Sequence, residues 1–371
     1  MKRTQITKVI CALTLLITIT GCSAAGEKDK ETIKKPGGSI TIIDNKGNET
    51  GKPAVSIVSI DNYEKLEISD WLDSETVIVS KENESLKKMS LLELAGTYPR
   101  SLYVYNINTK EYKLLKAEQQ LNLGGAKLSP DGKNLLYYGN SLGDPSYYVL
   151  NIETLKGFGI SGEPLGNAGS AKWADKSEVV GAGYMRGAYF AGVDGKITAI
   201  KELEQKSIFI VEKLKNTIYY NTTEDGTLMA LDLSTKETVK LGLTNVLGVY
   251  PAPDENQLLV LQQDGSKQVL SLCSSDGSNV KTIAQGVELG GVAWSPDQRM
   301  LAYSMKEDGN STSVADLYVY DVLTGKSTRI AVDIENAATC WSPSSKDLAY
   351  TRWDGRQYNS SIVHMEYSLE K

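Results

Sequence analysis

With one histidine, His364, among 371 residues, this chain has little scope for imidazole chemistry. Metal sites with several histidine ligands and Ser–His–Asp triads are improbable from that count, before any motif is examined. Cysteine is almost as scarce, at four. Cys11 and Cys22 belong to the amino-terminal segment discussed below. Cys273 and Cys340 lie in separate strand-like runs and read as two buried thiols, with a disulfide as the alternative. Phenylalanine, at 3, and tryptophan, at 5, are outnumbered by 20 tyrosines, a residue suited to half-buried strand positions. Positive charge is in deficit: 40 basic against 46 acidic residues leave a net charge of −6, which argues against a nucleic-acid binder. The apolar run Val9 to Ile19 falls short of the ~20 residues of a membrane span. No sustained helical period appears in the body of the chain.

The amino terminus has a pattern of its own. Lys2, Arg3 and Lys8 precede the run Val9 to Ile19, as in an export signal. Ile19-Thr20-Gly21-Cys22-Ser23 follows and resembles the bacterial lipobox, although Leu is the usual residue at the place of Ile19. The resemblance implies that Cys22 is lipidated and becomes the first residue of the mature chain. Residues 1–21 are therefore read as a lipoprotein signal peptide. Residues 22–52, rich in Lys, Glu, Gly and Asp, are read as a flexible tether with one short strand at Ser39–Ile43. The expected location is the extracytoplasmic face of the cell membrane. Removing residues 1–21 leaves 37 basic against 46 acidic residues, which does not favour additional docking to anionic lipid.

The rest is repetitive. Trp294-Ser295-Pro296-Asp297 is followed by Met300-Leu301-Ala302-Tyr303, Trp341-Ser342-Pro343 by Leu348-Ala349-Tyr350, and Leu128-Ser129-Pro130-Asp131-Gly132 by Leu135-Leu136-Tyr137. In each, an apolar run begins seven residues after the first position. The same offset marks units at Trp71, Trp173, Val211 and Pro251. The seven starts are separated by 57, 45, 38, 40, 43 and 47 residues. Units of ~40–50 residues holding several short strands specify a β-propeller. The last unit has room for only three strands, and the strand-like Ala54–Asp61 belongs to no unit. The two complete each other if the ring closes through an N-terminal strand, which removes exposed edges. The fold class is thus all-β: a single β-propeller of four-stranded blades over residues 53–371, with seven blades, six being the alternative.

These Trp-Ser-Pro-Asp units resemble the repeats of TolB-like, WD40-like (PD40-repeat) and oligopeptidase propellers, and the architecture resembles TolB-like propeller lipoproteins. The resemblance implies a fold more than a chemistry. No hydrolase domain of the oligopeptidase kind and no TolB amino-terminal domain accompanies the repeats, so neither activity nor partners carry over.

Local motifs are weak. Gly139-Asn140-Ser141-Leu142-Gly143 matches a nucleophile elbow, but a strand rather than a helix follows. Gly325-Lys326-Ser327 lacks the earlier glycine of a phosphate-binding loop. His364 and Glu366 share one face of a strand, an arrangement more often structural than catalytic. The long first interval places extra residues near Lys81–Arg100, where Ser85–Ala95 reads as a short amphipathic helix. Loops on one rim carry Tyr98 and Arg100, then Tyr184, Met185, Arg186 and Tyr189, then Trp353, Arg356 and Tyr358. These types are enriched at binding hot spots.

The reading that follows is a lipid-anchored, monomeric, non-catalytic module that binds or scaffolds an envelope protein, with no cofactor or metal. Two alternatives stand beside it: an envelope hydrolase or lyase acting on sugar or peptide, and a sensor that takes a small ligand in the central channel. Two or more inward-facing carboxylates in that channel would favour the enzyme. The anchor is tested by Cys22→Ala, which should release the protein from the membrane fraction or leave its signal uncleaved. Normal processing and unchanged fractionation would refute the lipobox.

Overall fold

The computed structural model describes residues 30–35, 38–43, 55–91, 94, 96–164, 166–308, 314–334 and 337–367. The segment read as a signal peptide and the candidate lipidation site Cys22 lie outside the described residues. Two units are described separately. In the first, Lys30–Lys35 and Gly38–Ile43 pair as an antiparallel hairpin, the second strand overlapping the one read at Ser39–Ile43.

The second unit is a ring of seven four-stranded antiparallel sheets. The inner strands of blades 1 to 7 are Glu67–Trp71, Asn122–Leu128, Lys172–Trp173, Ile208–Leu214, Val246–Pro251, Glu288–Trp294 and Ala338–Trp341. Six of the seven repeat starts are the last residue of an inner strand, and Val211 lies inside one. These six starts are therefore the points where the chain leaves the inner strand of a blade.

The turn that follows has a physical logic. The Ser129 hydroxyl donates to Asp131 (2.7 Å) and accepts from the Asn134 amide (2.9 Å). Ser295 repeats this with Asp297 (2.6 Å) and the Met300 amide (2.9 Å). The third residue after each such serine takes a left-handed conformation, at Gly132 (φ 71°), Gln298 (φ 61°) and Ser345 (φ 61°). Only the first copy uses the residue that adopts it without steric cost.

Four of the five tryptophans stitch neighbouring blades. The indole N–H of Trp71 donates to the Cys340 carbonyl, Trp173 to Lys127, Trp294 to Tyr250 and Trp341 to Ala293, at 2.9–3.2 Å. Each acceptor lies on the inner strand of the preceding blade. The second strands are buried on both faces because a blade is sandwiched between two others. Val77, Ile78 and Val79 are all solvent-free, as are Leu258, Leu259 and Val260. This is why these segments read as continuous apolar runs rather than as alternation.

Ring closure follows the expected plan. Val55–Tyr63 is the outer strand of blade 7, paired from Val55–Tyr367 to Tyr63–Ser360 with a bulge between Ile57 and Ser59. Val55 joins a core cluster with Val363 and Met365. His364 lies between Asp347 (2.7 Å) and Asp61 (3.4 Å), tying the closing strand to the body of the blade. Gly139 to Gly143 and Gly325 to Ser327 both belong to blade hairpins. The helix expected over Ser85–Ala95 is corrected: the described residues 85–91 form turns and coil. The segment is held by polar contacts instead. Asn83 accepts from the Ser85 amide (3.1 Å), Gln120 from the Ser90 amide (3.0 Å), and Gln119 donates to the Lys87 carbonyl (2.7 Å). Met89 alone is buried among the apolar residues of 85–91.

Deleting residues 55–63 should cost about 5 kcal/mol or more, from lost apolar burial and a reopened edge. At ~2 °C per kcal/mol for a domain of this size, thermal melts should shift down by about 10 °C. An unchanged midpoint would show that the ring is stable without its closing strand.

Candidate functional site

Closure of the ring creates a cleft of about 1000 Å³ where blades 7, 1 and 2 meet. At its base lies Glu67, the first residue of the inner strand of blade 1. The flanking backbone is fixed by two buried hydroxyls of blade 7. Ser360 donates to the Leu66 carbonyl (2.8 Å) and Thr351 to the Ile68 carbonyl (2.9 Å). The Glu67 carboxylate accepts from the Gly125 amide (3.0 Å) and pairs with Arg100 (3.4 Å). Both side chains are nearly enclosed, at 11% and 14% exposure. Arg100 also donates to the Ser80 hydroxyl (3.1 Å) and carbonyl (2.6 Å), so its guanidinium plane is held from two sides.

Tyr138 of blade 2 forms the opposite wall. Burial, then the charge of Glu67, pushes its phenol above the usual tyrosine value, with Arg100 opposing. The proton therefore stays on oxygen at neutral pH. A pair of glycines makes room for this arrangement. A Cβ on Gly124 would stand 3.1 Å from both Glu67 Oε2 and the Tyr138 hydroxyl. At Gly125, with φ +58°, it would lie 2.2 Å from the Tyr138 ring.

Aromatic rings capped by cations line the upper walls. Trp353 and Tyr358 meet with centroids 4.8 Å apart. Arg100 lies 4.8 Å from the Tyr358 centroid, Lys88 5.3 Å from Tyr98, and Lys81 4.5 Å from Tyr112. The blade 7 loop that presents Trp353 is an aspartate-based turn, with Asp354 accepting from the Arg356 and Gln357 amides (both 2.9 Å). Trp353 is thus the one tryptophan that does not stitch blades.

Of the rim residues singled out in the sequence, Tyr98, Arg100, Trp353, Arg356 and Tyr358 line this cleft. Tyr184 and Arg186 do not. Tyr184 donates to Asp144 (2.7 Å), and Arg186 borders a separate hollow of about 340 Å³ beside Glu204. Met185 is 80% exposed and Tyr189 is buried with its hydroxyl on the Ser170 carbonyl. His364 is not among the cleft residues. Cys273 and Cys340 are buried free thiols, pushed up by burial to about 11 and about 12, which leaves them unreactive. Glu67, Tyr138 and the glycine pair escape sequence reading because their segments look like ordinary strand. A second buried inner-strand carboxylate, Glu212 of blade 4, pairs with Lys172.

No family model and no curated protein matches the chain. Solved structures match over most of it. An oligogalacturonate lyase in complex with manganese is 13% identical, with a TM-score of 0.61 over 87% of this chain and 100% of its own. The oligogalacturonate lyase of Vibrio parahaemolyticus is 10% identical, with a TM-score of 0.61 over 85% and 98%. The β-propeller domain of Cps50 (Swd1) from Myceliophteria thermophila is 12% identical, with a TM-score of 0.56 over 84% and 99%. TolB of Acinetobacter baumannii is also among the matches. The chain shares the β-propeller fold of these structures, with seven four-stranded blades.

The expectation of a non-catalytic module is corrected. Two of the matched folds are enzymes, and the premise behind the expectation was too broad. One histidine limits imidazole chemistry, while proton transfer by carboxylate and phenol needs none. Manganese is held by one of these structures. Such an ion favours carboxylate, carbonyl and water oxygens. No group of three or more His, Cys, Asp or Glu suited to a metal occurs among the described residues, and Glu67 is already engaged by Arg100 and Gly125.

The glycine cradle gives a direct test. Gly125→Ala should cost about 1–3 kcal/mol through overpacking against the Tyr138 ring, and Gly125→Ala with Tyr138→Ala should cost less than the two single changes together. Denaturant unfolding measures both. A neutral Gly125→Ala would contradict the packing described.

Proposed function

We propose that the protein is a cell-envelope enzyme that cleaves a glycosidic bond in an acidic oligosaccharide, by elimination. The observation that carries this reading is the buried Glu67–Arg100–Tyr138 group at the base of an aromatic-walled cleft. Aromatic faces suit the apolar faces of sugar rings, and guanidinium groups suit carboxylates. The fold shared with two oligogalacturonate lyases supports a uronic-acid substrate.

In this scheme Arg100 and Arg356 receive the sugar carboxylate. Glu67 removes the proton from the carbon bearing that carboxylate. The electron pair left behind forms a carbon–carbon double bond as the neighbouring glycosidic C–O bond breaks. Tyr138 donates its proton to the departing oxygen. Arg100 offsets the charge that develops on the carboxylate, in a site too enclosed for water to screen it. Trp353, Tyr358 and Tyr98 orient the rings.

Oligogalacturonates and other uronic-acid oligomers should yield products absorbing in the ultraviolet through the new double bond. Glu67→Gln should lower kcat by about 10²–10⁴-fold, measured below its melting midpoint, which should fall because Arg100 loses its partner. Trp353→Ala should raise KM about tenfold and leave kcat nearly intact. Full activity of Glu67→Gln, or no turnover by the wild type on any uronic-acid oligomer, would reject the proposal.

A further inference from the structure

The cleft is longer than the group at its base requires. It is bordered by Glu67 on the innermost strand of blade 1 and by Tyr112 on the outermost, Tyr112–Lys116. Three strand spacings separate those two strands, about 14 Å. The volume of about 1000 Å³ stands at the upper end of the ~300–1000 Å³ usual for ligand sites. A single sugar ring held at Glu67 would not reach the outer part of this space.

That outer part is bordered by Lys81, Tyr103 and Tyr112. Lys81 stands on the second strand of blade 1, Thr76–Glu82, which pairs with the strand of Arg100 and Tyr103. Its ammonium lies 4.5 Å from the Tyr112 centroid and 5.9 Å from that of Tyr103. The two rings meet edge to face, 5.9 Å apart, and Tyr105 packs on Tyr112 at 4.4 Å. A contact with ring faces attracts the ammonium and leaves its three N–H donors for a true acceptor. Burial raises both phenols above the usual tyrosine value, so neither is a phenolate that would pair with the lysine at neutral pH. Glu64, Glu82 and Glu84 also border the cleft, but among the described residues no carboxylate forms an ion pair with Lys81. Arg100 differs, because its guanidinium is committed to Glu67 and Ser80. Lys81 is thus a cation held in place without a counter-ion.

We infer that Lys81 forms a distal subsite of the cleft and receives the carboxylate of a second acidic ring in the chain bound at Glu67. The inference rests on the saccharide reading of the cleft and extends it from the bond broken to the length of chain preferred. An ammonium with free donors gains a charge-assisted hydrogen bond from such a ligand. Tyr103 and Tyr112 are positioning residues, since they hold the ammonium at its place. A ligand that spans from Glu67 to Lys81 needs several rings, so a dimer forgoes the second contact and a longer acidic oligomer makes it.

Calorimetry on full-length Tyr138→Phe protein, which keeps the ring and loses the proton donor, measures binding without turnover. Tetragalacturonate should bind at least tenfold more tightly than digalacturonate. Adding Lys81→Gln should abolish that advantage and leave the dimer affinity unchanged, whereas Lys81→Arg should retain it. Tyr112→Leu should reduce the advantage, again without altering the dimer. Equal affinity of the two oligomers before Lys81 is changed, binding of neither, or an advantage that survives Lys81→Gln would overturn the inference. Equal weakening of dimer and tetramer by Lys81→Gln would also overturn it, by marking a structural role. Turnover by the wild type is scored separately. Turnover together with a length preference that Lys81→Gln leaves intact rejects the subsite alone. A length preference lost on Lys81→Gln, with no turnover of any oligomer, rejects the lyase and keeps the subsite.

Discussion

The pairing of the Val55–Tyr63 strand with Tyr358–Tyr367 is the contact on which the rest of this molecule depends. It completes blade 7, closes the ring and leaves no inter-blade edge bare. It also fixes the chemistry, because the closing strand leads directly into the inner strand that starts at Glu67. Ser360, at one end of the pairing, holds the Leu66 carbonyl, and Thr351 beside it holds Ile68. The position of Glu67 is therefore set by the seam as well as by its own blade, in which it pairs with Ser80.

The sequence reveals the frame better than the contents. Trp71, Trp173, Trp294 and Trp341 mark blades because each indole must reach a carbonyl of the preceding inner strand, a requirement that ties residue type to position. The Ser-x-Asp turns are equally legible, since their hydrogen bonds are local. Five rim residues converge because loops of adjacent blades share one end of the ring. The central groups were hidden for the opposite reason. Glu67, Lys127, Lys172 and Glu212 come from four consecutive blades and approach one another only when those blades pack. Nothing in the spacing of Glu67 distinguishes it from a solvated glutamate. The Ser85–Ala95 segment was misread because its apolar spacing suited a helix, while backbone groups taken by Asn83, Gln119 and Gln120 hold it in turns.

Electrostatics around the channel follows one pattern. Arg100 faces Glu67, Lys172 faces Glu212, and Lys127 lies near Asp70, each pair drawn from different strands. An isolated charge at such depth would be costly, and a partner on another strand reduces that cost, within blade 1 for Arg100 and Glu67 and between blades for the other two.

The closing contact joins residues about three hundred positions apart, a separation that makes it entropically expensive and late to form. Six blades draw their four strands from consecutive chain, whereas the seventh needs strands from both ends of the ring. A product truncated before Tyr358 would display most of the architecture and lack the serine that holds the strand of Glu67. Proofreading of length is therefore built into this fold: only an intact polypeptide completes the site.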